Sequence, residues 1–527
     1  MARVRWTTVP VATGLAVVLL GGCGSSGGFG SGGTGESLVV GMSDGVLATD
    51  PASGYDPGSW LVFNNVFQSL LSFRGGSSTP QPEAAKSCAF EDGQATYRCR
   101  LRDGLTFSNS HSLTSEDVKF SFERAIGIND PDGPAPLLST IDDIATPDEK
   151  TVVFHLKVPD ATFPSKIASG AGSIVDHREY PARSLRTDGK AVGSGPYKLE
   201  SLNESKAVFS VNSDYHGSAR VKNSGITLNF FQGDQKALAS ALRKGEIDLA
   251  YRGLTAHDIS TLRDSATAAD QGIDVVEGSS AEVQHLVFNM KDPVVGKLGV
   301  RRAIAYLVNR EALVSQVYES TASPLYSIVP AGITAHNTAF FGAYGGSPQP
   351  DKAEEALRSE GIKGKVKLTL WSTPTRYGPA TDEEFRAIAQ QLNDSGLFKA
   401  TVKSVPLGPY EEAIAAGEYG VYVKGWVPDY PDPDNFTQPF FGKDNVLQNG
   451  YENSDITDRI IPGTAARANR AATEEDFGEL QDQVARDVPI LPLWQGKQYA
   501  VAYEGVTGLE MTLDASTVFR FWELSKH

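Results

Sequence analysis

The clearest structural pattern in this 527-residue chain lies in Leu101-Arg-Asp-Gly-Leu-Thr-Phe107, followed by Leu113-Thr-Ser-Glu-Asp-Val-Lys-Phe-Ser-Phe-Glu-Arg-Ala125. The first part contains the turn Arg102-Asp103-Gly104, and the residues on either side, Thr96–Leu101 and Leu105–Phe107, are predicted strands. The second part has apolar residues at helical spacing. A strand, a turn and a helix in succession predict an α/β domain.

The helix within this stretch has a predicted start. Thr114 and Asp117 stand three residues apart and form a capping pair. Val118, Phe122 and Ala125 then share one face of the helix, which we expect to pack in the core.

Strands and helices alternate along the rest of the chain, whose length predicts two or three domains. Further predicted strands are Ser37–Met42, Val152–Leu156, Val366–Leu370, Gly420–Val423 and Ile490–Leu493. Further predicted helices are Trp60–Leu71, Gly299–Arg310, and two that begin at the capping pairs Thr381/Glu384 and Thr473/Asp476.

The amino terminus is typical of an exported lipoprotein. Arg3 and Arg5 precede the apolar stretch Val9–Leu20, which is shorter than the roughly 20 apolar residues of a membrane-spanning helix. Leu20-Gly-Gly-Cys23 resembles a bacterial lipobox. The resemblance implies that residues 1–22 are a signal peptide and that Cys23 is acylated, for example with palmitate. The Gly/Ser-rich residues 23–37 then form a flexible tether.

Two further cysteines, Cys88 and Cys99, flank a predicted hairpin turn at Asp92-Gly93. The turn would place them on facing strands, and a disulfide is the first interpretation in an exported protein. A metal site is the alternative, but neighbouring Cys or His residues at ligand spacing are missing from the sequence.

Composition and motifs argue against several functions. The net charge of −16, from 64 acidic and 48 basic residues, does not suit a nucleic-acid partner. The sequence lacks the common zinc-protease, serine-hydrolase, P-loop and dinucleotide motifs, so we expect no catalytic residues, cofactor or metal. His155 lies in an apolar strand and is predicted to be a core histidine.

One segment has the composition of a binding loop: Gly425-Trp-Val-Pro-Asp-Tyr-Pro-Asp-Pro-Asp-Asn-Phe436. Its prolines prevent a regular helix, and it follows an apolar strand, where ligands bind in open α/β sheets. Asp429, Asp432 and Asp434 could suggest calcium, but the glycine and glutamate of an EF-hand are missing. Taken alone, the segment also fits a stiff surface loop with solvated aspartates.

These segments resemble, in order, the shared motifs of the family 5 extracellular solute-binding proteins, which serve peptide and nickel ATP-binding-cassette (ABC) importers. The resemblance runs from about residue 38 to 527. The matching blocks are Leu101–Phe107 with Leu113–Ala125, Gly193–Leu199, Asn212–Tyr215, Phe288–Asn289 with Val300–Arg310, and Gly425–Phe436.

The resemblance implies an α/β, bilobal periplasmic-binding-protein-like fold, with a cleft between the lobes and a small α/β domain inserted in the first lobe. We expect the first lobe at residues 38–78, 195–283 and 495–527, the inserted domain at 79–194, and the second lobe at 284–494. Chain crossings near 283 and 495 would form the hinge.

The resemblance also implies the ligand-binding residues. Asp429 matches the aspartate that pairs with a peptide α-ammonium, Trp426 matches a pocket tryptophan, and Tyr430 belongs to the same segment. Weaker candidates are Ser43, Asp44, Gly45, Asn64 and Asn289. Asn289 could equally satisfy backbone groups at a strand end. Two departures from the family pattern are Pro428, before the aspartate, and the missing match for a basic residue that would hold a peptide carboxylate.

The sequence therefore predicts a monomeric, lipid-anchored protein at the outer face of the cell membrane that captures short peptides for an ABC permease. Alternatives in the same class are binding of nickel chelates or oligosaccharides. An extracellular ligand sensor and, least favoured, a secreted hydrolase are alternatives from other classes.

Overall fold

A computed structural model describes residues 35–373, 380–443 and 445–527 of the chain. The predicted signal peptide, the acylated cysteine Cys23 and nearly all of the predicted tether lie outside the described residues.

The strands are numbered in chain order. They are β1 Leu38–Met42, β2 Leu71–Ser72, β3 Gln81–Pro82, β4 Ala85–Phe90, β5 Thr96–Leu101, β6 Ile141–Asp148, β7 Thr151–Leu156, β8 Tyr197–Asn203, β9 Lys206–Val211, β10 Gly225–Phe230, β11 Leu249–Tyr251, β12 Ile273–Phe288, β13 Ala322–Pro324, β14 Val366–Ser372, β15 Phe398–Ser404, β16 Val421–Trp426, β17 Ile490–Tyr503, β18 Val506–Thr507 and β19 Ser525–Lys526.

The α-helices of the described residues are numbered in the same way. They are α1 Pro57–Val66, α2 Ser115–Ile128, α3 Phe163–Lys166, α4 Gln235–Arg243, α5 Ala256–Asp264, α6 Ala266–Asp270, α7 Leu298–Leu307, α8 Arg310–Gln316, α9 Ala339–Tyr344, α10 Pro350–Ser359, α11 Ala380–Asp394, α12 Leu407–Ala415, α13 Gln438–Phe441, α14 Ile461–Ala465 and α15 Glu474–Asp487.

Two long strands, β12 and β17, join two groups of strands into one sheet of order β15-β14-β16-β12-β17-β11-β1-β10-β9-β8. They pair antiparallel, with a register shift between Ser279 and Val283 of β12. Before the shift β17 also pairs with β11, and after it β12 also pairs with β16. The chain therefore crosses between the two strand groups at this register shift.

A separate four-stranded antiparallel sheet, β4-β5-β7-β6, carries the predicted hairpin. Cys88 lies opposite Cys99 in the β4–β5 register, and a disulfide joins them. The turn between the strands contains Gly93 at φ 55°, a left-handed conformation that glycine adopts without strain. The disulfide prediction is confirmed.

Three main hydrophobic cores accompany these sheets. One collects buried residues of 38–67, 175–251 and 500–524, with a small satellite cluster around α4. A second packs α2 on the four-stranded sheet, and a third runs from Ala281 to Trp494. Each sheet region thus has an apolar core of its own.

Local predictions succeed where side-chain periodicity determines structure. Helix α2 begins at the capping box of Thr114 and Asp117, and Val118, Phe122 and Ala125 are buried as expected. In contrast, Leu105–Phe107 contributes only an isolated bridge between Thr106 and Ser112.

Two other predictions based on local sequence are wrong. Helices α11 and α15 form, but Thr473 makes no side-chain cap at the start of α15. The Glu384 carboxylate, predicted to pair with Thr381, accepts hydrogen bonds within a buried network. His155 is exposed on β7, whereas His285 on β12 is the fully buried histidine.

Candidate functional site

The carboxyl ends of strands from both groups point toward the register shift in β12. The parallel strands β1 and β11 end at Met42 and Tyr251, and Tyr251 lies opposite Ala500 of β17. From the other group, β16 ends at Trp426, opposite Val283 of β12. Open α/β sheets bind ligands outside such strand ends. The loops after β1, β11 and β16 therefore define the candidate cleft.

Asn435 organises the loop that follows β16. Its side-chain carbonyl accepts hydrogen bonds from Trp426 Nε1 and from the Asp429 backbone N, both at 2.9 Å. Its amide donates to Asp429 Oδ2 at 3.0 Å. Asn435 is fully buried, so these bonds hold the tryptophan and the aspartate in a defined relative position.

The Asp429 carboxylate is nearly buried and is held from the other side by a residue distant in sequence. Tyr55, in the connection between β1 and α1, donates its hydroxyl hydrogen to Asp429 Oδ1 at 2.5 Å. Burial raises the pKa of Asp429, while the hydrogen bonds from Asn435 and Tyr55 and the charge of Lys166 act to lower it. Both hydrogen-bond donors to this carboxylate are neutral. The site can therefore accept a cation that brings N–H donors.

The other two aspartates of the loop have different roles. Asp432 forms a two-bond ion pair with Arg470, whose Nε and Nη2 donate at 2.9 and 2.7 Å. Asp434 is buried, and burial raises its pKa to about 6. Because Arg470 already holds Asp432, the three carboxylates do not form an open calcium site.

The loop after β1 makes its own ion pair at the cleft. Arg252 directly follows β11, and its Nε donates to Asp44 Oδ2 at 2.6 Å. Backbone bonds join Ser43 to Arg252 and to Gly233, so the ends of β1 and β11 are tied together. The predicted residues Ser43 and Asp44, with Gly45 next to them, thus lie at the strand ends, alongside a basic residue that was not predicted.

The structure places the predicted ligand residue Tyr430 in a hydrophobic core and the predicted ligand residue Asn64 on α1, next to a buried asparagine. Tyr430 is 3% exposed and packs in the hydrophobic core of the four-stranded sheet. Asn64 is half-buried on α1. Its neighbour Asn65 is fully buried and bonds to Leu61, Phe519 and Phe521. The structure therefore does not bring Tyr430 to the cleft surface, because its ring fills a core.

Asn289 lies at the far end of β12. It is six residues beyond Val283, or about 20 Å at the rise of an extended strand. Its amide donates to the carbonyls of Gly417 and Tyr419 at 3.1 and 3.2 Å. The structure thus favours the alternative that Asn289 satisfies backbone groups at a strand end, and separates it from Trp426.

Tyr55, Asn435 and Arg252 were missed from the sequence. The role of Asn435 could have been recognised from the sequence, since an asparagine side chain within a proline-rich loop can both donate and accept hydrogen bonds to its neighbours. The roles of Tyr55 and Arg252 could not have been recognised in this way, because their partners are 374 and 208 residues away in the chain.

A second unpredicted network lies beside the strand crossing. Glu384 is fully buried and accepts hydrogen bonds from Trp494 Nε1 at 2.9 Å, from Tyr318 Oη at 3.1 Å and from Gln284 Nε2. Burial raises the pKa of Glu384 to about 8. The network ties α11 to both long strands, close to the point where the chain crosses.

Two groups of side chains have the composition of a metal site, and both include Asp176: His111, Asp176 and Glu179, and Asp117, Asp176 and His177. The Asp176 carboxylate already accepts from Arg178 Nε at 2.7 Å and lies 2.6 Å from His111 Nδ1. Burial raises the pKa of Asp176, but hydrogen bonds from Asn109, Arg178 and His111 outweigh it and hold the pKa at about 2. A metal ion would have to displace the arginine, so the groups are better described as ion pairs.

The chain matches the family model "Bacterial extracellular solute-binding proteins, family 5 Middle" over residues 79–448, which is more than half of its length. It therefore belongs to this family, as its motifs predicted. Membership makes it a solute-binding protein rather than an enzyme. Across the described residues, no helix combines the length and apolar character needed to cross a membrane.

Individual proteins agree with the assignment. The chain is 24% identical over 506 residues to the probable D,D-dipeptide-binding periplasmic protein DdpA of Escherichia coli, covering 93% of this chain and 94% of that one. A periplasmic binding protein from Helicobacter pylori, in complex with the peptide STSA, is 23% identical with a TM-score of 0.77, covering 93% and 98%. NikZ from Campylobacter jejuni, in complex with Ni(L-His), is 18% identical with a TM-score of 0.76, covering 93% and 99%. The fold is the predicted bilobal binding-protein fold.

Proposed function

We propose that this protein captures short peptides in the cleft and delivers them to the permease of an ABC importer. The observation that carries the proposal is the environment of Asp429, a nearly buried carboxylate whose two hydrogen-bond donors are neutral. A peptide α-ammonium would supply the missing positive charge and three N–H donors. Several relatives of the chain are dipeptide-binding proteins by name, which supports the choice of peptide.

For the two lobes we propose the boundaries predicted from the sequence. The first lobe comprises 38–78, 195–283 and 495–527, the second 284–494, and the inserted domain 79–194. The core from Ala281 to Trp494 and the crossing of β12 and β17 support the boundary of the second lobe. The other two cores each combine residues of the proposed first lobe and inserted domain, such as Leu70 in one and Tyr180 in the other. Closure about the crossing would bury the ligand, and the ligand would stabilise the closed form because it contacts both lobes only there.

The proposed location is the outer face of the cell membrane, with the chain anchored through acylated Cys23. Two acyl chains suffice for stable attachment, whereas one binds only marginally. A palmitate analogue fed to expressing cells should label the wild-type protein. Cys23→Ser should abolish the label and release the protein from the membrane fraction. Retention of Cys23→Ser in the membrane fraction would contradict the anchor.

Asp429→Asn tests the ammonium anchor, with exposed Asp270→Asn as the matched control. Native mass spectrometry first identifies the ligands of protein purified without denaturation, and calorimetry then measures their affinities. Loss of the charged partner should weaken peptide binding by at least about 1.5 kcal/mol, more than tenfold, while the control should bind normally. Affinity within twofold of wild type would refute the anchor.

The chemistry of the ligand provides a second test. An N-acetylated peptide lacks the ammonium and should bind much more weakly than the free peptide of the same sequence. A nickel–histidine chelate should not compete with the peptide. Tight binding of the chelate, without peptide binding, would favour the nickel alternative over the proposal.

A further inference from the structure

The hydrogen bond between Tyr55 and Asp429 joins two segments that the proposed function assigns to opposite lobes. Tyr55 lies in the connection between β1 and α1, and Asp429 lies in the loop after β16. The bond spans 374 residues of sequence. If the lobes separate, this bond is among the contacts that must break.

Both partners are oriented independently of each other. The Tyr55 ring packs edge-on against Trp60 at 5.5 Å between centroids, and Trp60 Nε1 donates to the Gly54 carbonyl at 3.0 Å. On the other side, Asn435 bonds both the carboxylate and the backbone N of Asp429. One side of the cleft therefore holds the donor, Tyr55, in position, and the other side holds the acceptor, Asp429.

The Asp429 carboxylate keeps room for a ligand. Tyr55 uses one acceptor position of Oδ1, and Asn435 uses one of Oδ2, out of about four that a carboxylate offers. The bond is thus compatible with an ammonium bound beside it.

We propose that Tyr55 is a latch, a positioning residue that holds the ammonium anchor Asp429 across the cleft and thereby couples ligand capture to closure. This inference rests on the proposed function for its ligand and on the Tyr55–Asp429 geometry for its mechanism. The first lobe then contributes to the anchor only when the cleft is closed, so a bound ammonium favours the closed form.

Tyr55→Phe removes the hydroxyl and keeps the ring against Trp60. Tyr503→Phe is the matched control, because its hydroxyl bonds the Leu242 carbonyl at 2.6 Å within the first-lobe core region. Calorimetry with the peptides Ala-Phe and Ala-Phe-Ala should show about tenfold weaker binding for Tyr55→Phe and no change for the control.

Closure is measured separately, without any ligand. Fluorophores at Lys236→Cys and Glu355→Cys, exposed on α4 and α10, report the distance between the proposed lobes by single-molecule energy transfer. In the unliganded protein, Tyr55→Phe should lower the fraction of closed molecules severalfold, and Tyr503→Phe should leave it unchanged. A closed fraction and an affinity both within twofold of wild type would overturn the latch.

The pH dependence of binding distinguishes a latch from a general packing role. Burial raises the pKa of Asp429, and four groups lower it: Asn435 and a backbone N–H in its own loop, Tyr55 across the cleft, and Lys166 on α3. Without the Tyr55 hydroxyl, the pKa of Asp429 should rise. As the solution is acidified, Tyr55→Phe should therefore lose peptide binding at a higher pH than wild type. An acid limb that coincides with that of wild type would contradict the latch.

The two proposals can fail independently. If wild-type protein binds neither peptide but Tyr55→Phe still opens the unliganded form, the peptide function is wrong and the latch stands. If wild-type protein binds peptide but Tyr55→Phe changes neither closure nor the acid limb, the latch is wrong and the function stands.

Discussion

Arg124 donates two parallel hydrogen bonds to Asp50, at 2.7 and 2.5 Å, and both side chains are only 2% exposed. Arg124 lies on α2, which packs on the four-stranded sheet, and Asp50 lies in the connection between β1 and α1. The ion pair therefore joins the four-stranded region to the connection that also carries Tyr55.

Arg124→Met should destabilise the protein by about 3–5 kcal/mol, because it leaves the Asp50 carboxylate buried without its cation. Chemical denaturation measures the change. Lys150→Met, which breaks a largely exposed ion pair with Asp103, is the control. It should leave the free energy of unfolding nearly unchanged. Equal effects from the two substitutions would show that burial does not determine the strength of the Arg124–Asp50 pair.

His285 should make the protein less stable in mild acid. It is fully buried, neither ring nitrogen has a partner among the described residues, and burial lowers its pKa from 6.5 to about 3. The unfolded chain therefore takes up a proton first. As the pH falls from about 6.5 toward about 3, the free energy of unfolding should fall by about 1.4 kcal/mol per pH unit from this group.

His285→Leu should remove that slope and be neutral or stabilising at pH 7, since it replaces unpaired buried nitrogens with an apolar side chain. His155→Gln, at an exposed position, is the control and should keep the wild-type slope. Denaturant titrations at several pH values measure the effect. A slope in His285→Leu equal to that of wild type would argue that the imidazole is not buried in the neutral form.

Glu384 should have the opposite pH dependence. Burial raises its folded-state pKa from 4.5 to about 8, so the folded protein retains a proton that the unfolded chain releases. Its contribution to stability is complete below about pH 4.5 and is lost as the pH rises toward 8. Glu384→Gln should flatten the pH dependence in this range. Glu475→Gln, at an exposed site on α15, should leave it as in wild type.

Asn435→Ala should weaken peptide binding, because it frees Asp429 and leaves Trp426 Nε1 without its acceptor. A loss of about 1–3 kcal/mol in binding is expected, together with a shift in Trp426 fluorescence. Asn393→Ala is a matched control, since Asn393 makes a similar pair of bonds to the backbone of Ala400. The control should lose stability and keep its affinity for peptide. Normal affinity in Asn435→Ala, or an equal loss of affinity in Asn393→Ala, would contradict the role of Asn435.

Local sequence predicted most elements near the site, and the reasons for the exceptions are physical. The strand predicted at Gly420–Val423 follows from a run of apolar residues, and in the structure it extends to Trp426. The irregular loop after it follows from the fixed φ of proline. Tyr430 was placed among the ligand residues with the rest of its segment. Its burial depends on the core that packs around it, and no local pattern encodes that core.

The histidines show the same distinction. His155 and His285 both lie in apolar strands, so periodicity alone cannot separate them. Their burial differs because His285 faces Phe440 from a central strand, whereas His155 lies on an exposed face of the small sheet. Neighbouring strands and helices decide the environment of each ring.

The sequence by itself determined the α/β class, the family and the pairing of Cys88 with Cys99, because periodicity, ordered motifs and a short hairpin are local properties. Tertiary structure alone decided that Asp429 meets Tyr55, that Arg252 stands beside Asp44, and that Asn289 lies far from Trp426. These relationships join residues that are distant in the chain. They depend on strand order and on the crossing of β12 and β17, which bring separate strand ends to one cleft.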